Sequence, residues 1–226
     1  MCQSAKNGLN KNKQIVSKAR IANHGEVFTA PHEVNAMLDM VAQETSRIDS
    51  RFLEPACGKG AFLTEIMRRK LSVLRDRYRK SPLEYNRYLI LAVGSIYGID
   101  ILADNVADCR AALLKIIVDE YLNVFGGCAM PTDCFAAVQF ILSKNIIHGD
   151  ALTLRQVGDT GKPIVFSEWS LVSGDLFKRR DFYFSSLVDS DDFSLFATRD
   201  TGGDTWLPMP MREFPITDYK RLKDAE

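Results

Sequence analysis

Residues 52–63 read Phe-Leu-Glu-Pro-Ala-Cys-Gly-Lys-Gly-Ala-Phe-Leu, and this stretch decides the fold. Apolar Phe52 and Leu53 end in the acidic Glu54. Pro55, two small residues and a Gly-x-Gly follow. The apolar run Ala61-Phe62-Leu63 then opens a helical pattern. A strand that hands over to a helix through glycines is the entry unit of an open α/β sheet.

Two further stretches repeat that ending. Ser95–Asp100 reads as a second strand closed by Asp100, and Asn145–Asp150 as a third closed by Asp150. Helical spacing fills the gaps. Residues 61–80 predict a long helix with Phe62, Ile66, Leu71 and Leu74 inward. Its outer face is basic: Arg68, Arg69, Lys70, Arg75, Arg77, Arg79 and Lys80. Beyond Pro82 a helix resumes from Tyr85 to Ala92. Residues 102–125 predict an amphipathic helix closed by Gly126-Gly127, and 132–143 another. Upstream, Pro31 suits a first helical turn, and Val34, Met37, Leu38 and Val41 mark that helix's apolar face. Lys162–Phe166 begins a fourth strand. Alternating strands and helices predict a parallel, Rossmann-like sheet with helices on both faces. In such sheets a ligand sits beyond the carboxyl ends of the strands, where Glu54, Asp100 and Asp150 fall.

The whole chain sets the limits. Its 226 residues, 46% hydrophobic, suffice for one core of ordinary size. Three regions follow: a basic arm at 1–23, an α/β domain at 24–190, and an acidic tail or short sheet extension at 191–226. The net charge of zero argues for no particular partner, although the arm and the basic helix face are compatible with nucleic acid. Five cysteines without a CxxC pair, no leader-like apolar segment and no membrane-length apolar run predict a reducing, cytoplasmic setting with free thiols. The three histidines are scattered without metal-ligand spacing, so no metal site is expected.

The acids narrow the ligand. A phosphate loop would need Gly-Lys-[Ser/Thr], and a carboxylate at the strand end disfavours an anion. A cationic, hydroxyl-rich ligand such as S-adenosylmethionine suits this pattern. Glu54 faces its amino-acid end, Asp100 its ribose diol and Asp150 its adenine amine, with Ile101 or Leu152 against the ring. Taken singly, a Gly-x-Gly is more often a tight turn, and Asp100 suits a helix cap.

Four segments together resemble a family. Gly-Glu-Val-Phe-Thr-Ala-Pro-His-Glu-Val (25–34), Leu-Glu-Pro-Ala-Cys-Gly-Lys-Gly-Ala-Phe (53–62), Tyr-Gly-Ile-Asp-Ile (97–101) and His-Gly-Asp-Ala-Leu (148–152) are similar, in order and spacing, to motifs of adenine-N6 DNA methyltransferases of restriction–modification type. The resemblance implies a class I methyltransferase sheet, here with fewer strands than usual, that binds S-adenosylmethionine and acts on DNA. Phe28 and Thr29 would lie over the methionine moiety. Glu54, Ala56, Gly58 and Gly60 would form the glycine motif. Asp100 and Ile101 would take ribose and adenine, and Asp150 and Ala151 the adenine edge.

The family's catalytic motif, [Asn/Asp/Ser]-Pro-Pro-[Tyr/Phe/Trp] after the fourth strand, has no match. Its place reads Ser167-Glu168-Trp169-Ser170. Ser167 falls at the amide position and Trp169 supplies an aromatic one place early, so these two are the catalytic candidates. Against that, Trp169 suits a core and Glu168 a surface. No full target-recognition domain fits after residue 170, so a partner subunit is expected to supply recognition. Two alternatives stand beside adenine methylation. One is a catalytically inactive accessory subunit or decayed restriction–modification protein. The other is a methyltransferase acting on RNA, protein or a small molecule.

Overall fold

The structure, a computed structural model, describes residues 29–158, 161–188 and 209–224. The basic arm, Phe28 and the acidic residues 189–208 lie outside the described residues, as does the strand expected near Phe193. The chain is α/β. Its first half runs α1 (Pro31–Asp39), α2 (Ala42–Thr45), β1 (Phe52–Glu54), α3 (Ala61–Tyr78), α4 (Pro82–Gly94), β2 (Ile96–Asp100), α5 (Ala103–Val124), α6 (Thr132–Asn145) and β3 (Ile146–Asp150). The second half holds β4 (Arg155–Gln156), β5 (Val165–Ser173), β6 (Leu176–Tyr183), α7 (Phe184–Val188), β7 (Arg212–Glu213), β8 (Thr217–Asp218) and a 3-10 turn at Tyr219–Asp224.

Local chemistry sets the helix starts. Pro31 opens α1, where its missing N–H costs nothing, and the Glu33 carboxylate accepts from the Ala30 N–H at 2.9 Å. Pro82 opens α4 in the same way, capped by Ser81. Gly60 carries φ +88°, and a Cβ there would lie 2.8 Å from the Cys109 sulfur of α5. Only glycine meets both demands, so the turn from β1 into α3 is fixed by this residue.

The four-stranded sheet has the order β1-β2-β3-β4. The first three strands are parallel, and β4 is antiparallel at the far edge. Leu53, Tyr97, Ile99 and Ile147 lie on one face, and Phe52, Ile96 and Ile146 on the other. The second face packs on helices through Leu63, Ile66, Cys109 and Leu113.

The first face differs from the sequence expectation. A β-hairpin, β5–β6, covers it together with short α7. Ile164, Phe166, Phe182, Phe184 and Leu187 pack there against Tyr97, Ile99 and Ile147. The fourth strand therefore does not join the parallel sheet, and long helices do not cover both faces. The reason lies in residues 171–187. They turn back at Gly174 and pair with β5 along its length, and the hairpin so formed packs on the face of the parallel sheet. Trp169 crosses close under Gly94, where a Cβ would lie 2.9 Å from the Trp169 Cβ and 3.1 Å from its ring.

Three assignments of side-chain direction also change. Val34 and Leu38 are buried, but Met37 and Val41 face outward. Lys70, expected on the basic surface of α3, is wholly buried. Its Nζ donates to the carbonyls of Arg47, Ile48 and Ser50 at 2.8, 3.0 and 2.7 Å. Lys70 thus ties α3 to the loop that enters β1. Burial pushes its ammonium down to about 7, against the opposing charges of Asp49 and Glu44.

Candidate functional site

The carboxyl ends of β1, β2 and β3 stand side by side and bring Glu54, Asp100 and Asp150 to one edge of the sheet. Each acid has a different environment, so each can do different chemistry.

Asp100 is buried and anchors the glycine loop. Its Oδ2 accepts from the Gly58 N–H at 2.8 Å. Its Oδ1 accepts from the Leu102 N–H at 2.8 Å and from Asn105 Nδ2 at 3.2 Å. A carboxylate offers about four acceptor positions, so one remains. The same group caps the entry to α5 and holds the loop. Asn105, one turn into α5, was not singled out in the sequence; its spacing from Asp100 is the only signal it gave.

Glu54 is half-buried. Its one hydrogen bond among the described residues is weak, accepting from the Ala56 N–H at 3.4 Å. No cation pairs with it among the described residues. Desolvation holds its carboxyl above the usual range, against the opposing Ala56 N–H. An acid in that condition is suited to a cationic ligand.

Asp150 accepts from the Leu152 N–H at 2.9 Å, and this bond holds its carboxyl below the usual range. Ala151 follows it, half-buried, and Leu152 is almost fully exposed. Ile101, also exposed, presents an apolar side chain just beyond Asp100, and its carbonyl lies 3.0 Å from His148 Nε2. Between the acids, Gly58 has φ +50° and open space where a Cβ would point. Ala56 is exposed on the same turn. Cys57 lies beneath, and a hydrogen bond with Cys109, together with burial, pushes its thiol well up. It stays a protonated, space-filling side chain.

Thr29 reaches the same end of the molecule. A cleft of about 150 Å³ lies between it and the start of α3, lined by Thr29, Pro31, Val34, Ala61, Thr64 and Arg68. A larger groove, about 650 Å³, runs between α3 and α5 past Leu71, Arg75, Ile116 and Glu120. It lies along the helices rather than at the strand ends, and its polar groups pair with each other, as in Arg75–Glu120 at 2.7 Å.

The structure does not bring Ser167 and Trp169 to this edge. Both lie inside β5 and both are buried, which corrects the expectation of a loop at a strand end. Ser167 Oγ donates to Asp181 Oδ1 at 2.7 Å and accepts from Arg179 Nε at 3.2 Å. Trp169 packs against Gly94 and Phe140 and donates from Nε1 to Asn145 Oδ1 at 3.4 Å. Glu168, expected at the surface, is buried between Arg51 at 2.7 Å and Arg180 at 2.9 Å. Strand pairing turned this segment inward, a consequence of the downstream hairpin that the local sequence did not signal.

Among the described residues no helix is long and apolar enough to cross a membrane, and no cluster of His, Cys, Asp and Glu could hold a metal ion. In comparisons with known proteins the chain matches no family model, no curated protein and no solved structure.

Proposed function

We propose that this chain binds S-adenosylmethionine at the carboxyl ends of β1, β2 and β3, as the cofactor-holding part of an adenine-N6 DNA methyltransferase. One observation carries the reading. A half-buried carboxylate with no cationic partner among the described residues, Glu54, stands beside a glycine loop that Asp100 holds in place.

The residues fit the group. Glu54 would take the ammonium, since an ion pair there relieves the cost of its burial. Asp100 would accept from the ribose diol with its remaining position. Gly58, open above its Cα, leaves room for the ligand over the loop. Asp150 and the exposed side chains of Ile101 and Leu152 would frame the adenine. Thr29 and the small cleft beside it would border the methionine end. When bound, the cofactor supplies a methyl group activated by a positively charged sulfur.

Methyl transfer to an adenine amine also needs acceptors for the amine hydrogens and a face for the flipped base. Ser167 and Trp169 are engaged inside the hairpin, so those groups come from elsewhere than residues 167–170. The reading is therefore of a cofactor-binding subunit of such an enzyme, with the acceptors supplied from outside residues 167–170. Calorimetric titration with S-adenosylmethionine tests the first step. Transfer of labelled methyl to unmethylated DNA, followed by nucleoside analysis, tests the second. The expected result is saturable cofactor binding without transfer by the chain alone. Absence of binding refutes the cofactor reading, and N6-methyladenine made by the chain alone refutes the subunit reading.

A further inference from the structure

The small cleft beside Thr29 is built on one stripe of α3. Ala61, Thr64, Glu65 and Arg68 recur at intervals of three and four, so they share one face of that helix. Thr29, Pro31, Val34 and Asn35 close the cleft from the α1 side. Ala61 follows Gly60 directly, so one end of the cleft lies at the glycine loop. Arg68 stands two turns further along, a rise of about 10 Å. Long side chains on a helix lean back toward its N-terminus, and Arg68 lines the same space as Ala61.

The charges around this cleft are unevenly committed. Arg69 pairs with Asp39 at 2.8 Å and with Glu65 Oε1 at 3.3 Å, and it donates to Asn35 Oδ1 at 3.1 Å. Glu65 is therefore already held by Arg69. Arg68 reaches only the second Glu65 oxygen, at 3.5 Å and through Nη1. It makes no closer ion pair among the described residues. A guanidinium carries five N–H donors in a fork that matches a carboxylate, so Arg68 has donors to offer a ligand. With 57% of its side chain exposed, it is within a ligand's reach. The neighbouring groove offers no such group in Arg75, which Glu120 holds at 2.7 Å.

The ligand has the matching need. Glu54 takes its ammonium, and Asp100 and Asp150 face its ribose and adenine. All three are acids, so its carboxylate requires a cation of its own. We propose that Arg68 receives the carboxylate of the bound ligand and makes the site selective for an intact amino-acid end. This rests on the cofactor reading above. Arg68 is a binding residue in this assignment and touches no atom that is transferred.

The test is calorimetric titration of the full chain with two ligands. One is S-adenosylmethionine. The other is its decarboxylated form, which keeps the sulfonium, the ribose and the amine. Wild type is expected to bind the first about tenfold or more tightly than the second. In Arg68→Met, which keeps the apolar stem, the preference shrinks to about twofold or less, because the loss falls on S-adenosylmethionine alone. Arg68→Lys keeps the charge without the fork and retains part of the preference. Arg77→Met removes the same charge from an exposed position of α3 outside the cleft, and the preference keeps its wild-type value.

A preference unchanged in Arg68→Met, or lost equally in Arg77→Met, would overturn the assignment. A fall of the same size for both ligands in Arg68→Met does the same, since a purely structural role gives that result. Equal binding of both ligands by wild type removes the carboxylate contact and leaves the cofactor reading standing. Binding of neither removes the cofactor reading, and this assignment with it.

Discussion

Replacing Asp100 with asparagine keeps the shape of the side chain and removes only its charge and one acceptor. The structure then forces a choice. Asp100 now accepts from Leu102 N–H and Asn105 Nδ2 on Oδ1 and from Gly58 N–H on Oδ2. An asparagine flips so that its oxygen keeps the first two donors, and its NH₂ then faces the Gly58 N–H. One half-buried backbone donor is left unpaired, at a cost of about 1–3 kcal/mol. The two surviving bonds lose their charge assistance, roughly halving their strength. The sum is a stability loss of about 3 kcal/mol, read as a lower midpoint in urea at unchanged slope. Cofactor affinity should fall about 100-fold, equivalent to about 2.7 kcal/mol, since the loop loses its anchor and the ribose its acceptor. Asp100→Glu should not restore either quantity, because the longer arm overshoots both N–H groups. A stability loss below about 1 kcal/mol would refute the anchoring argument. An unchanged affinity in a variant that is destabilised as expected would refute the ligand role while leaving the structural one.

Lys70→Met keeps the buried stem and leaves three carbonyls without their shared donor. Relief of a buried charge offsets part of the loss, and chemical unfolding should show a net loss of about 3 kcal/mol. The Lys70 ammonium at about 7 sits below the unfolded value of about 10.4, so between those pH values the unfolded chain holds the extra proton. Wild-type stability therefore rises with pH across that window relative to Lys70→Met, by at most about 1.4 kcal/mol per pH unit. Gly60→Ala places a Cβ against Cys109 at a positive φ and should cost about 2–4 kcal/mol, measured by thermal melting; Cys109→Ala should recover part of it. Glu54 must be ionised to hold a cation, and desolvation raises its pKa. Binding of S-adenosylmethionine should therefore weaken on acidification at a pH above the ordinary glutamate value of about 4.3, and Glu54→Gln should remove that dependence.

Much of the fold was legible because its signals are local. Strand-ending acids, the Gly-x-Gly turn and helical spacing each sit within a few residues, and β1, β2, β3 and the helices between them fall where those patterns place them. The strand-end edge was legible for the same reason, since parallel pairing carries Glu54, Asp100 and Asp150 to one side whatever lies elsewhere. Lys70 was misread because spacing gives a helical face but not what covers it. The stretch that covers it, 47–50, presents three carbonyls, and backbone groups leave no trace in side-chain pattern.

The hairpin marks the limit most sharply. Nothing in Ser167-Glu168-Trp169-Ser170 says whether it ends a strand or runs through one. Pairing with 176–183 decides that, and with it the burial of Ser167 and Trp169. The amino-acid order by itself determined the elements, their sequence along the chain and the acids at three strand ends, because those depend on torsional preference and short-range periodicity. Only the tertiary structure decided where the fourth strand paired, which cation was buried and which polar residues were locked inside. Those outcomes rest on contacts between segments far apart in the chain, where packing and hydrogen-bond satisfaction override local preference.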